Sequence, residues 1–79
     1  MAETKTFYVM VMTRCVIDGE LSDSFDLSTR MILAASEAEV RSRVEAESPH
    51  SYQNPAGETV EWPLSRIMSI DRALRFDLI

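Results

Sequence analysis

The 79-residue sequence predicts a small α+β domain. The expected form is a curled antiparallel sheet of four to five strands crossed by one short helix, in the order β-β-α-β-β, with the last strand whole or broken in two. Three observations predict it. A β-branched and apolar run from Phe7 to Ile17 ends on Asp18-Gly19, the dipeptide suited to a two-residue hairpin in which both turn positions take positive φ. Ser36-Glu37-Ala38-Glu39 has the form of a capping box, which opens a helix. Asn54-Pro55-Ala56-Gly57 places Asn, Pro and Gly at the first, second and fourth positions of a type I turn, and Tyr52 and Val60 flank it as strand residues.

The first strand carries Phe7, Val9, Val11, Thr13, Cys15 and Ile17 on one face and Tyr8, Met10, Met12, Arg14 and Val16 on the other. Both sets are apolar near the start, so the strand is expected at the centre of the sheet and covered on both sides. Glu20 to Ser24 is polar and reads as a loop or bulge. Phe25, Leu27, Thr29, Met31 and Leu33 then alternate with Asp26, Ser28, Arg30, Ile32 and Ala34, a half-buried strand antiparallel to the first. The helix is expected over Glu37 to Glu47, with Val40 and Val44 four apart on one face and Arg41, Arg43 and Glu45 in solvent. Ser48-Pro49 stops it, because a residue before proline avoids the αR region. With two strongly apolar positions, such a helix depends on docking. Pro63 interrupts the ladder after the second hairpin. Arg66 to Leu78 forms the last strand, with Met68, Ile70, Leu74, Phe76 and Leu78 on one parity. Phe7, Val9, Val11, Leu33, Val40, Val44, Val60 and Ile70 are the expected core.

Composition narrows the function classes. The net charge is −5, which argues against general nucleic-acid binding, since that rests on neutralising phosphates. The acids concentrate between Asp18 and Trp62, while Arg66, Arg72 and Arg75 follow Trp62. One cysteine, Cys15, rules out an internal disulfide, and with the lone His50 it leaves no zinc ligand set. No metal and no cofactor is expected. No stretch has the form of a signal peptide or membrane span, so a reducing cytoplasm is the expected setting. A chain of this size buries a marginal core, and oligomerisation is the remaining way to reinforce it.

The run His50 to Trp62 carries a pattern, Tyr52-x-Asn54-x-x-Gly57-Glu58-x-Val60-x-Trp62. With the opening Phe7-Tyr8 and the segment Ala34 to Glu37, it resembles domain-of-unknown-function family 4288 over nearly the whole chain. The helix here is shorter than is common in that family. The resemblance implies a fold and a size, and no activity.

The candidate site residues are few. Tyr52 and Trp62 read either as a wall for a small ligand or peptide or, more plainly, as a hairpin clamp. Arg66 and Arg72 share a parity and offer a place for an acidic group, with Arg75 opposite in parity; solvated surface charge is the plainer reading. His50 is a candidate base with Ser51 and Glu58 nearby in sequence, although Ser51 points to the other strand face. Cys15 reads as a buried, inert thiol. Asp18, Glu20, Asp23 and Asp26 lack the spacing of a calcium loop. No residues read as catalytic. Tyr8, Met10 and Met12 are the expected contact between copies, because one short helix can cover only one sheet face.

These readings converge on a non-catalytic binding or interaction protein that acts as a homo-oligomer. One form of it is a phage or bacterial factor that sequesters a small, nucleotide-like molecule or inhibits a protein partner. The alternative is a small hydrolase or isomerase whose site forms across subunits from His50, Glu58 and an arginine.

Overall fold

A computed structural model describes residues 3–73. The elements are β1 (Lys5–Ile17), β2 (Glu20–Ala34), α1 (Glu37–Ala46), β3 (His50–Gln53), β4 (Thr59–Trp62) and β5 (Leu64–Arg72). The architecture is α+β: one antiparallel sheet and one helix. β1 is central, and β2 pairs along the whole of one of its edges. Its other edge is shared by β5, opposite Phe7 to Thr13, and β4, opposite Val16 and Ile17. β3 pairs only with β4, at the far border. Thus β4 and β5 act as one long strand broken at Pro63, and the Arg14 amide donates to the Pro63 carbonyl across the break at 3.1 Å.

The turn chemistry explains this layout. Asp18 and Gly19 have φ of 49° and 85°, as a type I′ turn requires. The same Asp18 ties the two hairpins together: its amide donates to the Thr59 carbonyl and its carboxylate accepts from the Thr59 amide, each at 2.8 Å. Gly57 has φ of 83° and its amide donates to the Asn54 carbonyl at 2.9 Å. The Asn54 side chain accepts from the Ala56 and Glu58 amides, closing the turn from inside.

At the helix, Ser36 Oγ accepts from the Glu39 amide at 3.2 Å. The Glu39 carboxylate closes the box on the amide of Ala35, at 2.8 Å, one residue before the cap itself. Arg43 is not merely solvated: it bonds Glu39 on its own helix and the Leu33 carbonyl on β2. The hydrogen bond from Ala35, then the Arg43 guanidinium, hold the Glu39 carboxyl below its ordinary pKa.

The core lies between α1 and one sheet face. Phe7, Val9, Val11, Ala34, Val40 and Val44 are buried, with Ile32, Leu64, Ile67 and Ile70 partly buried against them. Cys15 and Val60 are buried nearer the hairpin ends. Three expectations are corrected. Leu33 is 58% exposed, and Ile32 and Ala34 take the inward places, because the register sets Ile32 beside Phe7 and Leu33 beside Thr6. β1 is central but covered on one side only, with Tyr8 46% and Met10 39% exposed. Along β5, register shifts opposite Met10/Val11 and Met12/Thr13 break the simple alternation, so Ile67 and Ile70 both pack on the core while Met68 is exposed. The expected strand positions Leu74, Phe76 and Leu78, and Arg75, lie outside the described residues. Among the described residues no helix is long and apolar enough to cross a membrane.

Candidate functional site

The sheet presents two unlike surfaces. On the face away from α1, register brings the even positions of β1 beside the odd positions of β2: Tyr8 pairs with Met31, Met12 with Leu27 and Val16 with Leu21. Leu21, Phe25, Leu27, Met31 and Leu33 are 50–66% exposed, and Met68 joins them from β5 at 41%. Arg14 lies over the Phe25 ring at 5.1 Å, a cation–π contact, and its Nε donates to the Ser22 carbonyl at 3.0 Å. The β5 side of this face is polar, because Arg66, Ser69 and Asp71 stand beside Met12, Met10 and Tyr8. Eight large side chains about half exposed, at about 200 Å² each, leave roughly 800 Å² of apolar surface in water, more than a soluble monomer usually shows in one patch.

The helix side carries a groove of about 1020 Å³ where α1 ends and the second hairpin begins. Thr13, Asp26 and Ser28 form its floor. Val44, Glu47 and Pro49 make one wall, and His50, Tyr52 and Trp62 the other. Arg30 reaches from the floor to an ion pair with Glu47, the helix C-cap. Both partners are over a third exposed, so the pair contributes about 0–1 kcal/mol. Among the described residues no hydrogen bond or ion pair engages the Asp26 carboxylate, although its backbone belongs to the ladder opposite Thr13.

Tyr52 and Trp62 share this wall, but they are diagonal neighbours and not a facing pair. Tyr52 faces Val60, and Trp62 faces His50. The Trp62 indole N–H donates to the Tyr52 hydroxyl at 3.3 Å, and the His50 and Tyr52 rings stand 5.4 Å apart. Arg66 and Arg72 are not brought together. Arg72 pairs with Phe7 and Arg66 with Met12, so the β5 register shift opposite Met10/Val11 puts them on opposite faces, and neither lines the groove. Glu58 is held at the turn by the Asn54 side-chain amide, at 2.9 Å, away from the groove that His50 lines. Ser51 pairs with Glu61 on the opposite strand parity from His50.

Sequence reasoning did not single out Leu21, Phe25, Leu27 and Met31 as residues of the exposed apolar face, nor Asp26, Arg30 and Glu47 as groove residues. For the first group the signal was present. A two-residue turn pairs odd positions with even ones, and the odd apolar positions of β2 stay beside Tyr8, Met10 and Met12 because the register shift between Arg14 and Val16 slips β2 by two residues, an even number. No such signal existed for the groove, whose residues come from six elements.

No protein-family model, no curated protein and no solved structure matches the chain.

Proposed function

We propose that this chain is a non-catalytic binding protein that works as a homo-oligomer, most simply a two-fold dimer, through the sheet face away from the helix. The single observation that carries the reading is the uncovered apolar face of Tyr8, Met10, Leu27, Met31 and their neighbours. Its roughly 800 Å² equals one partner's share of a standard-size protein interface. A second copy can meet it face to face, since packed sheets stand about 10 Å apart with their side chains interleaved. A two-fold contact is self-complementary, as one apolar surface meeting its own copy must be. The polar row of Arg66, Ser69 and Asp71 then forms part of the rim. A protein partner or a sequestered small molecule would add to this assembly, and a reducing cytoplasm suits the buried, unpaired thiol of Cys15. The hairpin resemblance to family 4288 fits a structural role for the motif, since Asn54, Gly57 and Glu58 build the turn. The competing hydrolase or isomerase reading would require Glu58 to leave Asn54 and reach His50.

Light scattering after size exclusion tests the reading. The wild-type chain is expected at a multiple of its 9.0 kDa, and Met10→Glu at the mass of one chain with an unchanged far-ultraviolet spectrum. The new carboxylate would lie desolvated and unpartnered at the seam. A wild-type mass of a single chain at micromolar concentration would overturn the proposal.

A further inference from the structure

We infer that the groove between the end of α1 and the second hairpin binds the cationic head of a small organic molecule, a guanidinium or an ammonium group. The inference rests on the binding-protein reading but not on self-association, since the groove and the apolar face lie on opposite sides of the sheet. Three features converge there. The aromatic wall of Trp62 and Tyr52 offers ring faces, which attract cations through their quadrupole. The Asp26 carboxylate stands on the floor beside Thr13 with no partner among the described residues. The third feature is the wall made by the C-terminal end of α1, where backbone carbonyls leave partial negative charge.

Charge decides between a cation and an anion. Arg30 is the one cation lining the groove among the described residues, and Glu47 neutralises it. Arg43, the basic residue of the last helical turn, is turned toward Glu39 and the Leu33 carbonyl. Asp26 is therefore left as the uncompensated charge. An anion would meet it and the helix C-terminus together, whereas a cation would be held by both while its apolar body lies along Trp62 and Val44. A partly desolvated carboxylate–cation contact is stronger than a neutral hydrogen bond, so an uncharged analogue of the same shape should bind far less well.

The chain has one tryptophan, so Trp62 gives one indole N–H resonance, which sits in the groove wall. The experiment follows this resonance while the full chain is titrated with Nα-acetylarginine amide, Nα-acetyllysine amide, the isosteric neutral Nα-acetylcitrulline amide, and Nα-acetylglutamate amide. The expected result is a saturable shift with the arginine or lysine probe, no saturation with the citrulline and glutamate probes, and an affinity about tenfold lower in Asp26→Asn. Asp26 is exposed, so this variant should fold, and its amide spectrum shows whether it does. A response as strong with citrulline or glutamate, or no saturation with either cation up to the probes' solubility, would overturn the inference. The mass of the wild-type chain by light scattering is read separately, so failure here leaves the self-association proposal standing.

Discussion

Val40→Ala and Leu33→Ala make a matched pair in which the smaller truncation should cost more. Val40 is fully buried on the side of α1 that faces the sheet, whereas Leu33 is 58% exposed on the other sheet face. Removing two carbon atoms from Val40 forfeits about 1.6 kcal/mol at about 0.8 kcal/mol per buried methylene. The unfilled space adds a cavity cost, and the better helix propensity of alanine returns about 0.5 kcal/mol. The expected net loss is about 1–3 kcal/mol. Leu33→Ala removes more carbon, and in a core it would cost about 2–5 kcal/mol. With over half its surface already in water, the expected loss is about 1 kcal/mol or less. Urea melts followed by circular dichroism measure both, in a Met10→Glu background so that contacts between copies do not contribute. A larger loss for Leu33→Ala than for Val40→Ala would refute the assignment of the two sheet faces.

Two further outcomes test the local chemistry. Gly57→Ala should cost about 1 kcal/mol in a thermal or urea melt; an added Cβ would meet nothing within 4 Å, so the whole loss is backbone strain at φ of 83°, and an unchanged midpoint would contradict the turn. Glu39 is held below its ordinary pKa of 4.5 by Ala35 and Arg43, so its contribution is fully present above that value and is lost as the pH falls through the lower folded-state value; urea melts between neutral and acidic pH should show Glu39→Gln less acid-sensitive than the wild type, and identical slopes would count against the closed capping box.

Local chemistry was legible because it depends on neighbours in the chain. Asp18-Gly19, Ser36 with Glu39, and Asn54 to Gly57 each select one backbone geometry by sterics and short-range hydrogen bonds, and each appears where the sequence places it. The four-residue spacing of Val40 and Val44 likewise named the docking face of the helix. The partition of β1 was legible as well, with Phe7, Val9 and Val11 in the core and Tyr8 and Met10 exposed; that of β2 was misread at Leu33, because a strand with apolar residues on both parities does not say which set lies inward. The tight first turn and the two-residue slip of β2 after it together put Phe25, Leu27, Met31 and Leu33 on the side of Tyr8 and Met10, but alternation within β2 favours that set for the core by its bulk.

The sequence by itself determined the element order, the turns and the helix cap, all of which rest on interactions within a few residues. Only the tertiary structure decided which positions of β2 and β5 lie under α1. The choice rests on how Ile32, Ala34 and Ile67 pack under Val40 and Val44, contacts whose partners lie on different elements. The β5 register shifts also belong to the assembled sheet: the one irregularity between Met10 and Val11 separates Arg66 from Arg72 and leaves Met68 exposed. The groove has the same origin, since Asp26, Glu47 and Trp62 meet only when a strand, a helix end and a hairpin close around one another.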